Sequence, residues 1–172
     1  GHNRKDGFEQ YVTYGKTCGI RVIKAKRYSE GEAAISSSEM RKLLAECRVE
    51  EAAHLLTYPY ALKGTIVSGY QVGRKLGFPT ANIQVDDPFK IIPGIGVYAV
   101  QVYLNGKRYK GMLYIGNRPT LDNGDNITLE VNILNFSGDI YNNEITVAFI
   151  QHVRGDIKFN TLDQLIDQLK KD

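Results

Sequence analysis

The chain has 172 residues, 42% hydrophobic and 24% charged, proportions that exclude wholesale disorder. Its 22 basic and 19 acidic side chains leave a net charge of +3 and are spread evenly along the chain, which argues against a nucleic-acid face. No apolar run approaches the roughly 20 residues of a membrane span, no apolar signal core opens the chain, and Cys18 and Cys47 show neither CxxC spacing nor clustered histidines. The expectation is a cytoplasmic protein with free thiols, no zinc site, no nucleic-acid partner and no membrane.

In chain order, residues 8–16 read as a short helix and residues 20–24 alternate like a strand. Ser36-Ser37-Ser38-Glu39 is a helix start, with serine as cap and an acid in the first turn, and Met40, Leu43 and Leu44 fall on its inner face. A second short helix is predicted over 49–56. After Tyr58-Pro59 the pattern turns to β. Strands are predicted over 61–68, over 97–104 and, after the hairpin signal Asn105-Gly106, over 108–115. Further strands are expected over 128–136 and 144–152, separated by a turn at Ser137-Gly138-Asp139. An amphipathic helix over 161–171, capped by Thr161, ends the chain. Residues 69–95 hold glycines 69, 73, 77 and 94 and prolines 79, 88 and 93 and read as one long loop, of a length that is often functional. Short antiparallel strands closed by a helix suggest a small β-barrel.

Two segments carry candidate chemistry. In the first, Gly69, Gly73 and Gly77 let backbone N–H groups approach an anion, Arg74 and Lys75 add positive charge, and Thr80 and Asn82, after Pro79, are hard oxygen donors suited to Mg²⁺ beside phosphates. The loop fits neither a Walker A nor a Rossmann pattern, so by itself it reads equally as an ordinary surface loop. In the second, alternation puts Leu129, Val131 and Ile133 on one face of a strand and Glu130 and Asn132 on the other. By itself Glu130 reads as a solvent-facing strand residue.

The string Gly73-Arg74-Lys75-Leu76-Gly77-Phe78-Pro79-Thr80-Ala81-Asn82 closely resembles the nucleotide-binding segment of the riboflavin kinase family. The resemblance implies a six-stranded antiparallel, Greek-key-like barrel over 57–172 that phosphorylates the ribityl 5′-hydroxyl of riboflavin with Mg-ATP. It implies that Gly69, Gly73, Arg74, Lys75, Gly77, Pro79, Thr80 and Asn82 hold the nucleotide, with Thr80 and Asn82 at the Mg²⁺, and that Glu130 is the catalytic base. The stretch 93–99 resembles a PGVYA-like segment of the family. Ile115-Gly116-Asn117-Arg118-Pro119-Thr120 resembles its IGxxPT loop near the nucleotide, which implies a nucleotide contact for Asn117. Tyr114 departs from the asparagine frequent before that loop. Arg154-Gly155-Asp156-Ile157-Lys158-Phe159 resembles an RxExKF segment beside the flavin, which implies flavin contacts for Arg154 and Asp156, the latter one methylene shorter than the usual glutamate. A surface ion pair is the alternative reading of both.

Residues 1–56 are expected to be a separate α/β piece. Ile35-Ser36-Ser37-Ser38-Glu39-Met40-Arg41 resembles the ISSTxIR motif of nucleotidyltransferases, whose HxGH signature is absent. The resemblance implies the C-terminal remnant of an FMN adenylyltransferase domain from a bifunctional enzyme, without adenylyltransferase activity, whose exposed apolar surface invites self-association. The competing functions are a flavin- or nucleotide-binding module without turnover and a barrel that binds oligonucleotides, against which the balanced charge speaks.

Overall fold

The computed structural model describes residues 7–25, 29–30, 33–34, 36–68, 79–119, 125–159 and 161–172. Two compact units make up the chain, Gly1–Ile35 and Ser36–Asp172.

In the first unit, α1 (Phe8–Thr17) precedes two short paired antiparallel strands, β1 (Ser29–Glu30) and β2 (Ala33–Ala34). The strand expected over 20–24 does not form. That segment turns back on α1 instead: Ile20 N donates to Gly15 O at 2.8 Å, and a Cβ at Gly15 would lie 2.6 Å from Ile20 O. Alternation makes a strand only where a neighbouring strand supplies ladder partners, and among the described residues none does so here. Phe8, Tyr11, Tyr14, Ile20 and Ile23 are exposed.

The second unit opens with α2 (Ser37–Ala45), whose first turn is capped by Ser36 Oγ accepting from Glu39 N at 3.2 Å. It continues through α3 (Val49–Leu56), which ends at Thr57 in the left-handed region with φ +67°. Leu43, Leu44, Val49 and Ala52 are buried in one cluster with the barrel side chains. Gly94 explains the fit of the 91–95 segment under these helices. Its N–H donates to Leu44 O at 2.9 Å, and a Cβ there would lie 2.6 Å from Cys47 Sγ. Both Cys18 and Cys47 are free thiols.

Six strands close the barrel: β3 (Ala61–Val67), β4 (Ala81–Val85), β5 (Gly96–Leu104), β6 (Lys107–Pro119), β7 (Asp125–Ile133) and β8 (Glu144–Arg154). Their spatial order is β3-β4-β7-β6-β5-β8, with β8 pairing back to β3 and every pairing antiparallel. Closure removes the exposed edges that an open sheet would present. Alternation fills the interior with Leu62, Ile66, Ile83, Tyr98, Val100, Val102, Leu113, Ile115, Leu129, Val131, Ile145, Val147 and Phe149. Each contributes roughly 1.5–3 kcal/mol by leaving water. Tyr98 is fully buried yet satisfied, its hydroxyl donating to Gly94 O. The Asn105-Gly106 turn joins β5 to β6 with both residues at positive φ, 51° and 72°, as a two-residue hairpin requires.

One expectation needs correction. Residues 69–95 are not a single loop, because β4 lies inside them and pairs with β3 at Val67–Asn82 and with β7 at Asn82–Glu130. Five residues between a glycine-rich run and Asp86-Asp87-Pro88 are too few to show a period. Their strand character comes from the two neighbours that supply their ladder. The chain ends in α4 (Leu162–Lys171), capped by Thr161 Oγ1, which accepts from Gln164 N at 3.4 Å.

Candidate active site

Register decides which side chains meet. Ala81, Val131 and Leu113 are paired across β4, β7 and β6, and Val131 and Leu113 are fully buried in the core. Their neighbours one residue away must therefore point outward. Asn82, Glu130 and Tyr114 form that outward row, each directly opposite the next. The row continues through Val97 on β5 to Arg154 on β8.

Glu130 lies between Asn82 and Tyr114 in this row, with different chemistry on either side. On the β4 side, Thr80 Oγ1 donates to Glu130 Oε2 at 3.4 Å, and Asn82 is the cross-strand partner of Glu130. Asn132, two residues along on the same face, donates from Nδ2 to Pro79 O at 2.8 Å. That bond ties the residue before Thr80 to β7 and limits how far Thr80 can drift from the carboxylate. These donors are hard oxygens, the kind that Mg²⁺ accepts together with phosphate and water. Among the described residues no group of three or more His, Cys, Asp or Glu forms a dedicated metal cage.

On the β6 side, the Tyr114 ring lies along the strand over Gly116, where a Cβ would come within 2.5 Å of the Tyr114 hydroxyl and ring edge. Its hydroxyl donates to Asp156 Oδ1 at 3.1 Å. Burial, then the Asp156 carboxylate, push that hydroxyl up to about 12, with a smaller push from the charge of Glu130. Tyr114 is accordingly a neutral donor between two carboxylates. Arg154 forks onto Asp172, with Nε to Oδ1 at 2.8 Å and Nη2 to Oδ2 at 2.6 Å, and its Nη1 donates to Gly155 O at 3.1 Å. The Arg154 guanidinium and the Gln168 amide hold the Asp172 carboxyl below its ordinary value. The side chains of this pair are only 16% and 2% exposed, so it is not the surface pair considered for Arg154, and its partner is Asp172 rather than Asp156.

Two clefts lie at the β4–β7 side of the row, and neither is lined by Glu130 or Tyr114. One, of about 560 Å³, is lined by Pro79, Thr80, Val131 and Phe136 and by the 137–141 turn. The other, of about 750 Å³, is lined by Val67, Asn82, Lys90, Ile127 and Thr128 among others. Both are of the size that small-ligand sites show.

The structure thus brings Pro79, Thr80, Asn82, Glu130, Arg154 and Asp156 onto one stretch of the outer barrel face. Asn117 sits further along β6, exposed and opposite Ile127. Gly69, Gly73, Arg74, Lys75 and Gly77 lie outside the described residues. Sequence reasoning missed three contributors. Asn132 carried a signal, since it alternates in step with Glu130. Tyr114 stood out only as a departure from the resemblance and Asp172 carried no signal, because their partners lie 42 and 18 residues away.

A family model described as flavokinase, riboflavin kinase, matches residues 56–172. A bifunctional riboflavin kinase/FMN adenylyltransferase of Listeria monocytogenes is 44% identical over 96% of this chain and 56% of its own length. The Escherichia coli K12 protein of the same description is 35% identical over 100% of this chain and 54% of its own length. The crystal structure of a macrolide-efflux protein from Streptococcus pneumoniae matches 98% of this chain and 54% of that one, with a TM-score of 0.86 and 34% identity. The chain spans about half the length of the curated relatives it matches. With the family model covering most of the chain and the relatives agreeing in description over the rest, the chain belongs to the riboflavin kinase family.

Proposed function

We propose that this chain is a riboflavin kinase, which moves the terminal phosphoryl group of Mg-ATP to the ribityl 5′-hydroxyl of riboflavin and releases FMN and ADP. The observation that carries the reading is the position of Glu130, with Thr80 within 3.4 Å on one side and the Tyr114–Asp156 contact on the other. A phosphoryl transfer needs a nucleotide and an acceptor brought in line across one base.

Thr80 and Asn82 hold the Mg-nucleotide, with Gly69, Gly73, Arg74, Lys75, Gly77 and Pro79 cradling phosphates and Asn117 contacting the nucleotide. Mg²⁺, held with the nucleotide by Thr80 and Asn82, would supply charge neutralisation to the transferring group. Glu130 orients the 5′-hydroxyl and takes its proton as the oxygen bonds to the γ-phosphorus and the bond to the β-phosphate oxygen breaks. Thr80 Oγ1, donating to Glu130 Oε2, keeps the carboxylate facing the reacting atoms. Arg154 and Asp156 border the flavin, with Arg154 held in orientation by Asp172.

Macrolide efflux, the description of the Streptococcus pneumoniae protein, is not carried over, because the family model and the curated relatives agree on flavin chemistry across the same residues. Residues 1–56 are read as part of an FMN adenylyltransferase domain, and α1 as the surface through which copies self-associate. The Ser36-capped start of α2 supports the nucleotidyltransferase likeness, and the exposed apolar side chains around α1 support the association. The working compartment is the cytoplasm, where riboflavin and ATP are the partners.

Incubation with riboflavin, ATP and Mg²⁺, followed by chromatography, tests the reading. FMN formation that stops when Mg²⁺ is chelated is expected. Riboflavin binding without FMN would leave a binding module in place of an enzyme, and binding of neither substrate would sink the proposal. Supplying FMN and ATP is expected to give no FAD.

A further inference from the structure

Tyr114 Oη donates to Asp156 Oδ1 at 3.1 Å, across 42 residues of chain. The contact depends on a third feature, Gly116, whose missing side chain leaves room for the tyrosine ring to lie flat along β6. An asparagine at 114 is shorter by most of that ring and leaves Asp156 without this partner.

The location gives the contact its consequence. Asp156 lies just past the end of β8, in the 155–159 segment, which has no strand ladder of its own. Two side-chain anchors bracket that segment. Arg154, paired with Asp172, holds its start, and the Arg154 guanidinium lies 6.0 Å from the Phe159 ring at its end. Tyr114 supplies the cross-link to β6, immediately opposite Glu130. That bond gives the Asp156 carboxylate a side-chain anchor on the strand that faces the base. Of the charged groups around Tyr114, Asp156 and Glu130 are acidic and Arg154 is basic. A neutral hydroxyl donor there satisfies one carboxylate without adding charge next to the other.

We propose that Tyr114 and Asp156 form a matched pair that positions the 155–159 segment as one wall of the acceptor seat, so that Tyr114 is a positioning residue for riboflavin and not for ATP. This inference rests on the proposed function and adds a side to the site: Thr80 and Asn82 serve the nucleotide from β4, while Tyr114 serves the flavin from β6.

A double-mutant cycle tests it. Tyr114→Phe removes only the hydroxyl and keeps the ring over Gly116. Asp156→Ala removes the acceptor. Tyr114→Phe is expected to raise the riboflavin KM about fivefold with the ATP KM within about twofold, and Asp156→Ala, which also removes a carboxylate bordering the flavin, to raise the riboflavin KM further. The double variant is expected to match the worse single variant, since residues acting through one bond are non-additive. Additive penalties overturn the pairing. A loss confined to thermal stability, with the riboflavin KM unchanged, overturns the positioning role. Should the parent chain form no FMN, the function fails independently, and the same cycle is read from riboflavin binding by quenching of flavin fluorescence. Coupled losses there uphold the pair, and additive or absent ones overturn it.

Discussion

Glu130→Gln isolates the base from its surroundings. The carboxamide keeps the shape of the side chain, and its Oε1 can still accept from Thr80 Oγ1, which contacts Glu130 Oε2 at 3.4 Å in the parent. The placement of Thr80 and Asn82 rests chiefly on backbone pairing of Ala81 with Val131 and Asn82 with Glu130, and on the Asn132–Pro79 bond, none of which uses the Glu130 carboxylate. Mg-ATP affinity is therefore expected to stay within about threefold. What disappears is proton acceptance from the 5′-hydroxyl. Loss of a general base costs about 10²–10⁴ in rate, or roughly 3–5 kcal/mol in the barrier at 1.36 kcal/mol per decade. Steady-state formation of FMN at saturating ATP, with Mg-ADP affinity measured separately by calorimetry, gives both numbers. A kcat within threefold of the parent would refute Glu130 as base. A tenfold loss of Mg-ADP affinity with the fold intact would refute the separation between base and nucleotide seat.

Thr80→Ala removes a donor to Glu130 and an oxygen offered to Mg²⁺, so the ATP KM is expected to rise about tenfold with a fall in kcat, measured by the same assay across Mg²⁺ concentrations. Gly116→Ala forces a methyl group into the space of the Tyr114 ring, and displacing that ring is expected to cost about 1–3 kcal/mol in urea unfolding. Arg154→Met leaves the Asp172 carboxylate with the Gln168 amide but without its guanidinium partner, with an expected loss of about 1–3 kcal/mol. Because the folded-state value of Asp172 is depressed, the pair's contribution is present above the ordinary aspartate range and is lost as pH falls below about 4. The stability gap between parent and Arg154→Met is therefore expected to narrow between pH 5 and pH 2, and a constant gap would refute the linkage.

How much was legible in the sequence differs from element to element. β5, the Asn105-Gly106 turn and the returning β6 were readable because each rests on local physics: alternation in step with the pleat, and a turn type that tolerates positive φ at two residues. The caps at Ser36 and Thr161 belong to the same class. Glu130 and Asn132 could be assigned to the outer face because inward Leu129, Val131 and Ile133 left them no other direction. Residues 20–24 and 81–85 show the opposite case. The first alternates yet forms no strand, and the second lies among glycines and prolines yet pairs on both sides. Whether a short segment becomes a strand depends on neighbours that arrive from elsewhere in the chain.

The sequence by itself determined which residues face in and which face out along each long strand, because side-chain direction follows from a period of two and from the preference of apolar groups for the core. Only the tertiary structure decided that β7 runs between β4 and β6. That order puts Glu130 between Asn82 and Tyr114, sets Asp156 against Tyr114, and gives Arg154 its partner in Asp172. Barrel order and closure are properties of non-local pairing, and the contacts they create join residues whose separation along the chain leaves no local trace.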